Sequence, residues 1–162
     1  MSKGISTPDL YDQFADAVQV AEPLFSHYGG RRNFSGVVDT VQCFEDNSKV
    51  AEKLRRAGHG KVLVVDGAAS LRYALLGDQL AAAAIENGWA GICINGCVRD
   101  VELLFEMQIG VMALAAVPRK TLKADRGEID ITLRFAGLCC SPGMHLYADE
   151  NGILLAGTSL LD

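Results

Sequence analysis

Apolar residues recur along this chain with two periods, and the alternation between them outlines a fold. Ser6-Thr7-Pro8-Asp9 combines a capping residue, a proline suited to a first helical turn and an acid that favours a helix N-terminus. Leu10, Phe14, Ala17 and Val18 follow at helical spacing, so a helix is expected to run on until Pro23 ends it. Gly29-Gly30 reads as a loop, and residues 34–44, rich in Val and Thr, read as a strand. Asn47 stands where a second helix is capped, with Val50, Leu54 and Ala57 inward and Gly58 at the stop.

Residues 61–66 form a continuous apolar run of the kind that marks a strand buried on both faces. A short segment, 71–76, leads to Gly77-Asp78, which opens a helix over 79–87 closed by Gly88. Residues 91–95 are another buried strand, Arg99-Asp100 opens a helical segment through Met107, and 111–117 is the next strand. Beyond Pro118 the period changes. Ile129, Ile131, Leu133 and Phe135 alternate with Asp130, Thr132 and Arg134, which predicts a half-exposed strand. Asn151-Gly152 is a hairpin signal between Tyr147 and the returning run 153–156, and 157–162 reads as a loose tail. An α/β first two-thirds with a β-rich last third predicts one layered α/β domain spanning 1–162.

Composition narrows the function classes. With 162 residues, 49% hydrophobic and 22% charged, the chain can bury a core without metal or disulfide staples and is not disordered. Its 15 Lys+Arg against 20 Asp+Glu give a net charge of −5, a surface that repels phosphate backbones. The cation pairs Arg31-Arg32 and Arg55-Arg56 have no interleaved aromatics, so direct nucleic-acid binding is not expected. No stretch approaches the roughly 18 apolar residues of a membrane helix, and Asp9, Asp12 and Asp16 exclude an N-terminal signal core. Five cysteines, at 43, 93, 97, 139 and 140, form no CxxC pair and sit among apolar neighbours, which suits a reducing compartment. Cytoplasm is the expected location.

The candidate chemistry lies between residues 76 and 100. Gly77-Asp78-Gln79-Leu80 opens a helix, whose first amides lack intrahelical partners and suit an anion such as a carboxylate. Taken alone, ordinary capping by Asp78 explains that turn. However, parallel strands place successive helix N-termini at one sheet edge, where open α/β sheets bind ligands. Asp78 and the Arg99-Asp100 pair, with 20 residues between them, should therefore meet. Two carboxylates would hold a hard divalent cation, Mg²⁺ or Mn²⁺, and Arg99 offers a planar fork for a carboxylate or enolate oxygen. A surface Arg-Asp pair is the plainer alternative. Other motifs carry less: no GxGxxG follows a strand, and Gly58-His-Gly-Lys61 precedes one. His27, His59 and His145 lack ligand spacing, Cys97 has no evident base beside it, and Arg31-Arg32 reads as a solvated loop or subunit contact.

These residues resemble the regulator of ribonuclease activity A family, whose aldolase members are class II 4-hydroxy-4-methyl-2-oxoglutarate aldolases. Glu22-Pro-Leu-Phe25, Gly29-Gly-Arg31, Cys43-Phe-Glu-Asp-Asn47, residues 62–67 and His145-Leu-Tyr-Ala-Asp149 carry the resemblance over nearly the whole chain. An Asp, twenty residues and Arg-Asp look like the aldolase signature, intact as Asp78, Arg99 and Asp100. The resemblance implies Asp100 as metal ligand and Arg99 as the substrate-binding arginine. It also implies Gly77, Asp78, Gln79 and Leu80 as the substrate loop, with Arg99 and Asp78 catalytic. A swivelling β/β/α layered domain, assembled as a homotrimer with sites near subunit boundaries, is implied too. Oxaloacetate, which yields the same pyruvate enolate on losing CO₂, is an expected second substrate. Longer aldolase members have a C-terminal extension that adds an acid to a neighbour's site, and this sequence runs to Asp162, so weaker aldol cleavage is expected. The alternatives are a non-catalytic inhibitor of ribonuclease E and a binding protein for a small oxo-acid. A methyltransferase label carried by some relatives has no glycine-rich cofactor loop here to support it.

Overall fold

The computed structural model describes residues 4–161, and its backbone is organised around a strand that serves two sheets. Helix α1 (Thr7–Phe14) and one 3-10 turn precede β1 (Val18–Val20), β2 (Ser26–His27) and β3 (Phe34–Gln42). Then come α2 (Ser48–Leu54), β4 (Val62–Asp66), β5 (Ala74–Leu76), α3 (Asp78–Glu86), β6 (Gly91–Val98), α4 (Val101–Leu104) and β7 (Gly110–Ala116). The chain closes with β8 (Glu128–Ile129), β9 (Leu133–Phe135), β10 (Leu138–Cys140), β11 (His145–Asp149) and β12 (Gly152–Ala156). The main sheet runs β1-β12-β11-β3-β4-β6-β7-β2, with β5 beside the end of β6 and β8 beside β3. Residues 34–37 of β3 pair antiparallel with β11, whereas 38–42 pair parallel with β4. One strand thus passes from an antiparallel sheet into a parallel one.

Alternation along the parallel strands sorts the core into two layers. Leu63, Val65, Ile92, Ile94, Val111 and Ala113 face α2, α3 and α4, where they meet Val50, Leu54, Ala81 and Leu104. Val62, Val64, Cys93 and Met112 point the other way, onto Leu146, Ala148, Ile153 and Leu155 of the antiparallel sheet. Continuous apolar runs at 62–65 and 91–94 are what such double burial requires. Each fully buried Leu or Ile contributes about 1.5–3 kcal/mol of transfer free energy. The expected β/β/α layering is observed. Beyond it, α1 covers the outer face of the antiparallel sheet, with Leu10 on Tyr147, Leu154 and Ala156. No helix among the described residues is long and apolar enough to cross a membrane.

Three local expectations change. The first helix ends at Phe14, because Val18–Val20 pairs with Leu154–Ala156 and sheet pairing overrides the helical spacing. The alternating run 129–135 is broken between β8 and β9, where Asp130 takes a left-handed φ of 59° and places its Oδ1 2.9 Å from Lys53 Nζ. The tail after β12 is tied down, since the Leu160 amide donates to Tyr147 Oη at 2.8 Å.

Candidate active site

Strands β5 and β6 run parallel, with Leu76 beside Val98, and the Arg99 amide donates to the Leu76 carbonyl at 2.9 Å. Each strand ends where a helix begins. Gly77 follows β5 and precedes α3, while Arg99-Asp100 follows β6 and precedes α4. Asp100 adopts φ 60° and ψ 40°, a left-handed turn that Asp tolerates better than most residues. Its carboxylate caps the neighbouring helix instead of its own: Oδ2 accepts from the Asp78 amide at 3.1 Å. A negative group at that helix N-terminus is electrostatically favourable. Arg99 Nε stands 3.9 Å from the same oxygen, with the two side chains 39% and 33% exposed, so both remain open to a ligand. The expected meeting of Asp78 with Arg99-Asp100 is observed.

Gly77 makes this approach possible by its lack of bulk. Its φ of −135° is ordinary extended backbone, but a Cβ there would stand 2.6 Å from Asp100 Oδ2 and 3.4 Å from Arg99 Cγ. Ala81 makes the first intrahelical bond of α3, to the Gly77 carbonyl, so the Gln79 and Leu80 amides precede the helical ladder. The Leu80 side chain is buried in the core, so only its backbone faces a ligand, whereas Gln79 is exposed.

A second wall, absent from the sequence reading, completes the cleft. Asn47, Lys120, Thr121 and Lys123 line it opposite Gly77, Asp78, Arg99 and Asp100. Asn47 was expected to cap α2, but its side chain turns to the site, donating from Nδ2 to the Leu75 carbonyl (3.2 Å) and accepting from Thr121 Oγ1 (2.8 Å). Asp46 takes over the capping role by accepting from the Ser48 amide at 2.9 Å. The sequence signal for this wall was the cluster of cations in 119–123, read only as a change of period. The cleft measures about 150 Å³, small beside the roughly 300–1,000 Å³ of drug-sized ligand sites. Arg99, Lys120 and Lys123 against Asp78 and Asp100 leave a net positive cleft on a negative protein, which favours a small acid.

The donor set can be tested against a metal. Among the described residues no three His, Cys, Asp or Glu side chains gather as a ligand group. A hard cation needs only one or two carboxylates and completes its shell with water and substrate, and the cleft holds two, Asp78 and Asp100. Asp100 meets this requirement: Oδ2 carries the contacts to Asp78 and Arg99, and Oδ1 has no hydrogen bond among the described residues. Elsewhere, Arg32 pairs with Glu150 at the surface, and His27 Nε2 lies 2.7 Å from the Asp149 carbonyl, so neither joins the cleft. Cys97 is buried, and burial pushes its thiol up, away from nucleophilic use.

Residues 7–155 match the model of the RraA-like family, described as Aldolase/RraA. A protein of Xanthomonas campestris pv. campestris strain 8004 is 56% identical over 155 residues, covering 96% of this chain and 93% of that one. It carries the name "Putative 4-hydroxy-4-methyl-2-oxoglutarate aldolase", as does a Pseudomonas putida W619 protein 52% identical over 95% of this chain and 94% of its own length. Among solved structures, a Geobacillus kaustophilus HTA426 protein described as S-adenosylmethionine: 2-dimethylmenaquinone methyltransferase superposes with a TM-score of 0.95. It is 48% identical and covers 96% of this chain and 97% of that one. The RNA-processing inhibitor RraA from Thermus thermophilis gives a TM-score of 0.93 at 44% identity, with 98% of each chain covered.

Proposed function

The chain belongs to the RraA-like family, and we propose that within it the protein is a divalent-metal-dependent aldolase that cleaves 4-hydroxy-4-methyl-2-oxoglutarate to two pyruvates, with oxaloacetate decarboxylation as a second activity. The observation that carries this reading is the Asp100 carboxylate, drawn onto the α3 N-terminus beside Arg99 in a small cationic cleft. The names of the Xanthomonas and Pseudomonas relatives support the aldol substrate.

Asp100 would hold Mg²⁺ or Mn²⁺, which when bound supplies Lewis-acid polarisation of a 2-oxo acid. The chain's own residues do the rest. The Gln79 and Leu80 amides and the positive end of α3 receive a substrate carboxylate. Lys120 and Lys123 receive the second one across the cleft. Asp78 is assigned the C4 hydroxyl proton; as it leaves, the C3–C4 bond breaks, C4 becomes the keto carbon of one pyruvate, and its bonding pair passes to the enolate of the other. The planar guanidinium of Arg99 stabilises that enolate, an interaction made mainly as charge develops. Protonation at C3 gives the second pyruvate. We include a homotrimer in this reading; Leu103 and Phe105, exposed on and just after α4, supply apolar surface for a neighbouring copy.

The test is pyruvate release from the aldol substrate with Mg²⁺ or Mn²⁺ and again with chelator. Activity should require the metal and disappear in Asp100→Asn, while Arg99→Lys should lose at least about tenfold because an ammonium cannot form the planar fork. A second reading, a protein regulator of ribonuclease E, is favoured by the 44% identity to the Thermus inhibitor. No pyruvate at high protein concentration, together with slowed ribonuclease E cleavage, would replace the first reading by the second.

A further inference from the structure

Asp46 is fully enclosed, yet it takes no part in the chemistry above. Its Oδ1 accepts from the Ser48 amide at 2.9 Å and from Ser48 Oγ at 2.6 Å. Its Oδ2 accepts from the Ala124 amide at 2.9 Å and the Arg126 amide at 3.1 Å, with Arg126 Nε at 3.6 Å. All these partners are donors, so both oxygens must be acceptors, and the NH₂ of an asparagine would face an N–H. The neighbours extend the grip. The Asn47 amide donates to Thr121 Oγ1 at 3.3 Å, the Asp125 amide donates to Ser48 Oγ at 3.2 Å, and Lys49 Nζ reaches Asp125 Oδ1 at 2.9 Å. Four consecutive residues at the start of α2 therefore clasp a strap, residues 121–126, that lies outside helix and strand. That strap carries Lys123 into the cleft, whereas Lys120, just before it, is held by a parallel bridge to Ala74 of β5.

We propose that Asp46 is a positioning residue: by fixing residues 121–126 it sets where Lys123 stands in the cleft, and so governs affinity for the acidic substrate. This rests on the reading of the cleft as the substrate site. Lysine has a long flexible stem, so a lysine on a free strap would lose binding strength to ordering entropy. A contact from this ammonium group is made alike in ground and transition states. Its misplacement should raise KM and spare kcat, whereas general damage to the fold would lower the active fraction and leave KM unchanged.

The experiment compares wild type, Asp46→Asn and Ser48→Ala, all with saturating Mg²⁺. It reads steady-state kinetics, calorimetric binding of 2-oxoglutarate (which carries both carboxylates of the aldol substrate and lacks the C4 hydroxyl needed for cleavage) and amide exchange. Asp46→Asn should raise KM about tenfold with kcat within about threefold, and weaken 2-oxoglutarate by a similar factor. The Ala124 and Arg126 amides should lose protection while those of β4 and β6 keep theirs. Ser48→Ala, which removes one bond to Asp46 and one to the strap, should shift KM and 2-oxoglutarate binding about threefold the same way, and it decides the matter if Asp46→Asn does not fold. Freed strap amides with unchanged KM and 2-oxoglutarate affinity would overturn the proposal. So would equal losses in kcat at constant KM. A wild type that binds 2-oxoglutarate without cleaving the aldol substrate would sink the aldolase reading alone, and one that does neither would sink both.

Discussion

The Asp100 carboxylate receives the Asp78 amide at 3.1 Å, so the end of one parallel strand caps the helix that follows its neighbour. This contact fixes Asp100, a residue in a left-handed turn, at the place where Arg99 and the α3 N-terminus converge. The space for it is provided at Gly77.

Gly77→Ala should therefore be an activity variant more than a stability variant. The new Cβ falls 2.6 Å from Asp100 Oδ2, in backbone that alanine adopts without strain, so the carboxylate has to move. Aldolase turnover should fall by about tenfold or more, because small displacements of a catalytic group carry large costs. The melting temperature should shift by only a few degrees. Wild-type turnover in Gly77→Ala would show that Asp100 need not stand where it does.

Oxaloacetate tests whether one site serves two reactions. It shares the C1 carboxylate and C2 keto oxygen of the aldol substrate, and loss of its C4 carboxylate as CO₂ leaves the same enolate. No hydroxyl proton has to be removed, so Asp78→Asn should reduce aldol cleavage much more than decarboxylation, while Asp100→Asn or a chelator should remove both. CO₂ release above the metal-only background is the measurement. Strong aldol cleavage without it would contradict a shared enolate.

Acid should weaken the fold through two buried carboxylates. Burial alone would push Asp46 up, but bonds from Ser48, Ala124 and Arg126 outweigh it and hold the group well below the aspartate range. For Asp149 burial also pushes up, and bonds from Thr7 and Asn151 prevail to hold it below its ordinary value. Because both folded values lie below the unfolded one, near 3.9, their stabilisation is complete above that pH and is lost as pH falls through the depressed values. Urea unfolding should show wild type losing stability below about pH 4. Asp46→Asn should cost about 2–3 kcal/mol at pH 7 and show a shallower acid limb. An acid limb identical to wild type would rule Asp46 out as a source.

Thiol reactivity should be confined to one position. Burial pushes Cys43 and Cys140 up to about 12 and raises Cys93 and Cys97 as well, whereas Cys139 is partly exposed. An aromatic disulfide reagent should titrate about one thiol quickly in the native protein, and all five only after denaturation. Rapid reaction of two or more would mean that the core opens far more readily than its packing implies.

What the sequence disclosed follows the reach of each interaction. Asp78, Arg99 and Asp100 were legible because two strand-to-helix junctions in parallel neighbours have to share an edge. Lys120, Thr121 and Lys123 were not, because they arrive on or just before a strap without periodicity, gripped by residues 46–49 across 74 to 80 positions. Val18 misled for a related reason: its helical spacing is real, but Ala156, far along the chain, supplies a strand partner that no local pattern contains. Asp130 likewise interrupts a convincing alternation in order to reach Lys53.

The strand shared by two sheets also orders events during synthesis. Phe34 lies where a Cβ on Gly91 or Gly110 would collide with its ring, and its stretch of β3 finds its antiparallel partner only in residues 145–148. At roughly 5–20 residues per second, the ribosome keeps that stretch waiting on the order of ten seconds. Meanwhile Val62, Val64, Cys93 and Met112 present an apolar face whose cover of Leu146, Ala148, Ile153 and Leu155 is not yet made. A nascent chain of this protein is therefore a natural client for chaperones until its last strand emerges. A premature stop before Ala156 should yield aggregate instead of a shortened enzyme.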